Sequence, residues 1–123
     1  MRRDKACMPP RLPKHLHDAV QAARLAVKFA GGLEVDEYAQ NVLVRSAVER
    51  QLEILGEACR RALDEAPDLR DGWPEATLAV ALRNRIIHGY DRLEHAIVLD
   101  TVKRDLPLLV TRLETELKRF PLE

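Results

Sequence analysis

Arg83, Asn84, His88 and Tyr90 fall within eight positions of the stretch Ala81 to Leu93, ALRNRIIHGYDRL. They supply a guanidinium, an amide, an imidazole and a phenol. That set suits chemistry at a phosphodiester, where one group moves a proton and another offsets phosphate charge. An α-helix turns about 100° per residue, so Asn84 and His88, an i, i+4 pair, share a face. Leu78, Leu82 and Ile86 repeat at the same interval and define an apolar stripe away from that face, with Arg83 between the two. Gly89 is a natural helix end because it tolerates positive φ. The negative end of a helix dipole favours a protonated imidazole at His88. Taken singly, each of these residues is more often a cap or a solvated side chain. The grouping is what points to a site.

The elements that must position these residues read as helices throughout. From Lys14, Leu16, Val20, Ala23, Val27 and Ala30 keep i+3 and i+4 steps until Gly31-Gly32. His15 and His17 lie two apart, point to different faces and read as surface residues. Leu33 to Gln40 is a connection with a short helical turn begun by Asp36. The longest helix runs from about Asn41 to Glu65, with Val44, Val48, Leu52, Leu55, Cys59 and Leu63 as its inner stripe and Ala47, Ala58 and Ala62 beside it. Gly56 in mid-helix costs about 1 kcal/mol relative to Ala, so its presence implies a close neighbour. Glu49, Arg50, Glu53, Glu57, Arg60 and Arg61 make a charged face. The pair Glu53 and Glu57 alternates with arginines and reads as a solvated or inter-subunit surface.

Pro67 closes that helix, and Asp68 to Gly72 reads as a loop. Trp73 is a packing anchor ahead of a third helix, with Pro74 in its first turn and its end near Gly89. Leu93 to Arg119 carries the last helical pattern, which Pro107 should kink or split. His95 could approach Tyr90 but reads as a surface residue. Four amphipathic helices with short loops predict an all-α, antiparallel bundle of four to five helices.

The 123 residues make one domain, residues 14–123, after an irregular basic tail, 1–13, broken by Pro9, Pro10 and Pro13. With 46% hydrophobic, 33% charged and 4% aromatic residues, the core should be Leu, Val, Ile and Ala. A formal net charge of zero argues against a broad basic surface for long nucleic acid, though not against a local phosphate site. Cys7 and Cys59 belong to no metal-spaced cluster and read as free thiols of a cytoplasmic protein. No apolar run has the length of a membrane span or the form of a signal peptide, so neither secretion nor membrane insertion is expected. No nucleophile elbow, phosphate-cradling glycine loop or zinc pattern is present, and no metal or cofactor is expected.

The spacing Arg83-Asn84-x-x-x-His88-x-Tyr90 resembles the RX4HXY signature of the HEPN superfamily. AVERQLEILGEACRRA (Ala47 to Ala62), Trp73-Pro74 and DTVKRDLPLL (Asp100 to Leu109) resemble its HepT-like (DUF86) branch. The resemblance covers about His17 to Phe120. It implies a HEPN-type bundle that pairs into a homodimer, with two RX4H motifs facing each other in one cleft. It also implies a metal-independent endoribonuclease, the toxin of a toxin–antitoxin pair. In that reading His88 is the acid or base, Arg83 holds the phosphate, Asn84 orients His88 or donates to phosphate, and Tyr90 contacts the substrate. Glu57 is a candidate support for Arg83, because its helix packs beside the motif helix in that family. The implied partner is a nucleotidyltransferase antitoxin of the MNT type, which would transfer AMP to the Tyr90 hydroxyl. An alternative is a non-catalytic subunit that binds a nucleotide or RNA for such a nucleotidyltransferase. A purely structural helical dimer is a third reading, disfavoured by the complete motif.

Overall fold

The computed structural model describes residues 11–87 and 94–120. Among them there are helices and turns and no strand. The elements are α1 (Leu12–Ala30), α2 (Val35–Gln40), α3 (Val42–Glu65), α4 (Leu69–Gly72), α5 (Pro74–Ile87), α6 (His95–Asp100), a π-helical segment (Thr101–Asp105) and α7 (Leu106–Leu117). The all-α bundle expected from the sequence is the fold observed.

α3 lies between α1 and α5, and α1 lies between α3 and α7. The start of α1 meets the end of α3 through His15 and Glu65, so these two helices run antiparallel. Small residues allow them close contact: Ala19, Ala22, Ala23 and Ala26 on α1 and Ala58 and Ala62 on α3 are all buried. Leu16, Leu52, Leu55, Leu106, Leu109 and Leu113 fill the space between the layers. Val44, expected on the inner stripe of α3, and Ala47, expected beside it, are only partly buried because α3 outruns the core at its start.

Several local boundaries differ from the sequence reading. α1 begins at Leu12, because Pro13 sits in the first turn where its missing N–H costs nothing. Glu34, not Asp36, caps α2. Its backbone N–H donates to Glu37 Oε1 at 2.9 Å and the reciprocal bond completes a capping box. Asn41 caps α3, its side-chain oxygen accepting from the Val44 N–H at 3.0 Å. Part of the expected 68–72 loop is a helical turn, α4. The expected break at Pro107 appears just upstream. Pro107 offers no N–H to the Lys103 carbonyl and its ring would crowd that oxygen. The backbone widens over Thr101–Asp105, where the Leu106 N–H donates to the Thr101 carbonyl, five residues back.

Two histidines are not surface residues as expected. His15 is 7% exposed, with Nε2 3.1 Å from Glu65 Oε2. The partner lies 50 residues away in sequence, so local spacing carries no trace of it. His95 is half-buried and packs edge-on against the buried Tyr38 ring, centroids 6.0 Å apart. His17 is exposed as expected.

Candidate active site

Arg83 reaches its place because its stem packs against the bare backbone at Gly56. At Gly56 an added Cβ would stand 2.2 Å from Arg83 Cβ and 2.9 Å from the Ala79 carbonyl oxygen. No side chain fits there, so α5 lies directly on α3. This contact also corrects the expected stripe on α5. The buried positions are Ala76, Ala79 and Leu82, whereas Leu78 is 41% exposed. The inward face is turned toward Ala79 and Arg83, because the notch at Gly56 accepts the Arg83 stem.

The Arg83 guanidinium is held on two sides. Nη2 lies 3.1 Å from Glu57 Oε1, and Nη1 donates to Asn84 Oδ1 at 2.8 Å. Its Nε is buried and has no hydrogen-bond partner among the described residues. Glu57 is also shared by Arg60, 2.8 Å away, and Arg61, whose Nε donates to Oε2 at 2.8 Å. The Arg60 and Arg61 hydrogen bonds hold the Glu57 carboxyl at about 2, well below its ordinary 4.5, despite an opposing push from burial. Glu57 is therefore a fixed anion at neutral pH. It cannot serve as a general acid there, but it can hold guanidiniums in place.

A cleft of about 280 Å³ opens beside this cluster. α3 supplies Arg50, Glu53, Ile54, Glu57, Ala58 and Arg61, one face at helical spacing, while α1 and α5 form the walls with His15, Asp18, Arg83 and Ile87. The volume falls just under the roughly 300–1,000 Å³ typical of small-ligand pockets.

Of the residues singled out from sequence, Arg83, Asn84 and Glu57 come together. His88 and Tyr90 lie outside the described residues, as do Cys7 and most of the expected tail. His15 and Arg61 line the cleft but were not singled out. Arg61 had one local signal, its i, i+4 spacing from Glu57. Among the described residues no group of three or more His, Cys, Asp or Glu side chains is placed to hold a metal ion, and no helix is long and apolar enough to cross a membrane.

Residues 19–116 match the family described as "Ribonuclease HepT-like". The chain belongs to the HepT-like ribonuclease family. It is 32% identical over 101 residues to "Putative RNase MJ1380" of Methanocaldococcus jannaschii, covering 80% of this chain and 90% of that protein. It is 26% identical over 114 residues to "Putative RNase MJ1216" of the same organism, covering 90% of this chain and 92% of that protein. "Probable ribonuclease HepT" of Thermococcus cleftensis is 28% identical over 100 residues, covering 81% and 90%. No solved structure gives a significant match.

Proposed function

We propose that this HepT-like chain is a metal-independent endoribonuclease that works as the toxin of a toxin–antitoxin pair. The observation that carries the reading is the Arg83 guanidinium fixed in the wall of a cleft by Glu57 and Asn84. RNA brings its own nucleophile, the 2′-hydroxyl. Attack forms a bond from the 2′-oxygen to phosphorus and breaks the bond from phosphorus to the 5′-oxygen. His88 takes the proton from the 2′-hydroxyl or delivers one to the departing 5′-oxygen, water exchanging the other proton, and its ordinary pKa near 6.5 suits neutral pH. Arg83 stabilises the added negative charge on the phosphoryl oxygens, exchanging part of its contact with Glu57 for phosphate.

In this reading two copies pair through the face that bears Arg83 and His88, so that the motifs share one cleft. A nucleotidyltransferase of the MNT type silences the activity by transferring AMP from ATP to the Tyr90 hydroxyl, with pyrophosphate as the leaving group, which adds bulk and negative charge. The support for pairing and for the modification is the RX4HXY spacing itself.

The test is growth after induction of the chain alone, compared with His88→Ala. Arrested growth with the parent and normal growth with the variant is the expected result. Unimpaired growth with both, together with no RNA cleavage by the purified parent, would remove the nuclease reading. Tight binding of AMP or ATP without cleavage would favour a non-catalytic nucleotide-binding subunit instead.

A further inference from the structure

Arg61 stands one helical turn from Glu57 on α3 and faces the same cleft as Arg83. The cleft's three carboxylates are not equivalent. Asp18 is paired with Lys14 at 2.9 Å, and Glu53 with Arg50 at 3.1 Å. Glu57 alone serves three guanidiniums, those of Arg60, Arg61 and Arg83. Arg60 also reaches Asp64 at 2.9 Å and is not part of the cleft wall. At the Glu57 end, then, two cleft-facing guanidiniums share a single carboxylate with a third. Cationic charge is in excess there, while the Arg50–Glu53 end is balanced.

The geometry of Arg61 suits an anion. Its Nε is occupied by Glu57 Oε2, which fixes the plane of the guanidinium. Its two terminal nitrogens have no hydrogen-bond partner among the described residues, and 56% of the side chain is exposed. A planar fork held at one edge and open at the other is the arrangement that grips two phosphate oxygens. Arg83, by contrast, has both terminal nitrogens engaged.

We infer that Arg61 is a second phosphate-binding residue, holding an RNA phosphate next to the one that Arg83 contacts, with Glu57 as the common brace between them. The inference rests on the ribonuclease reading and deepens it. It makes the trough along α3 the track of the RNA strand and leaves the reaction itself to Arg83 and His88. Arg61 binds and positions; it moves no proton.

The experiment measures binding of a fluorescent, 2′-O-methylated RNA oligonucleotide, which has no free 2′-hydroxyl and is not cut, by anisotropy across a salt series. Arg61→Gln is compared with the parent, with Arg61→Lys and with Arg24→Gln, an exposed arginine on α1 outside the cleft. Arg61→Gln should weaken binding about tenfold or more and flatten the dependence of log affinity on log salt by roughly one charge. Arg61→Lys should restore the salt slope but only part of the affinity, and Arg24→Gln should bind as the parent does. Melting curves report whether each variant is folded.

If the parent binds and cleaves RNA while Arg61→Gln matches it in affinity and salt slope, the Arg61 assignment fails and the ribonuclease reading stands. If the parent neither binds nor cleaves RNA, both fail. Equal losses in Arg61→Gln and Arg24→Gln would reduce the effect to general charge and also overturn the assignment.

Discussion

Gly56 and Arg83 are the point at which fold and site meet: a Cβ on Gly56 would lie 2.2 Å from the Arg83 Cβ. The glycine costs α3 about 1 kcal/mol of helix propensity. In return α5 lies close enough for the Arg83 guanidinium to reach Glu57, the residue next to Gly56. Gly56→Ala should therefore destabilise the protein despite its better helix propensity. Overpacking of this kind typically costs about 1–3 kcal/mol, or a fall in melting temperature of roughly 4–12 °C at this size. Cleavage of RNA should fall further than stability accounts for, because α5 must shift and carry Arg83 with it. Thermal melts and initial rates on the same preparations check both parts.

Glu57 gives a pH dependence with a definite sign. Its folded-state pKa, about 2, lies below the ordinary 4.5. The stabilisation it adds is fully present above about pH 4.5 and is lost as pH falls through about 2. Urea midpoints measured from pH 6 down to pH 2 should decline for the parent. Glu57→Gln should show a lower midpoint at pH 6 and a shallower decline, because its neutral amide does not titrate. Parallel pH profiles for the two proteins would show that the carboxylate is not coupled to folding.

His15 and Glu65 join the start of α1 to the end of α3. Removing either partner leaves a polar group at least partly shielded from water without its bond. His15→Ala should cost about 1–3 kcal/mol in urea unfolding. Glu65→Gln keeps an oxygen within reach of the imidazole and should cost less. Equal and negligible effects from both would mean that water already satisfies these groups.

How much of this could be read from the chain depends on how local each cause is. The helices were legible because apolar residues such as Leu52, Leu55 and Leu63 recur at helical spacing, and because Gly31 and Pro67 punctuate them. Gly56 was legible as an anomaly whose cost needed a close neighbour. The identity of that neighbour was not, since Arg83 lies 27 positions on and no periodicity links them. Spacing alone misplaces the Leu78 stripe for the same reason: the inward face of α5 is set by the notch in α3, not by which residues of α5 are largest. Local spacing puts His15 and His95 on the surface because their partners, Glu65 and Tyr38, lie on other elements. The grouping of Arg83, Asn84 and Glu57 needed the family resemblance. Composition alone reads Glu57 as one more charge on a solvated face.

Tyr38 is buried, yet its hydroxyl has no hydrogen-bond partner among the described residues. Burial and the nearby Glu49 carboxylate push its pKa up to about 12, against a smaller opposing effect of Arg45. A raised phenol pKa means that stability is fully present below pH 10 and is lost as pH rises through about 12. Tyr38→Phe should leave stability at pH 7 unchanged or slightly higher, since it removes an unpaired buried group. It should also resist alkaline unfolding better than the parent. A loss of more than about 1 kcal/mol at pH 7 would reveal a hydrogen bond worth keeping.

In the proposed reaction one fixed guanidinium and one imidazole cut RNA without help from a metal. Initial rates of cleavage of a single-stranded RNA in excess EDTA test it most directly, for the parent, Arg83→Ala and His88→Ala, with product ends analysed. The parent should cleave to 2′,3′-cyclic phosphate ends, with a loss of roughly 100- to 1,000-fold in each variant while the fold is kept. Cleavage that vanishes in EDTA, or that survives the loss of Arg83, would contradict it.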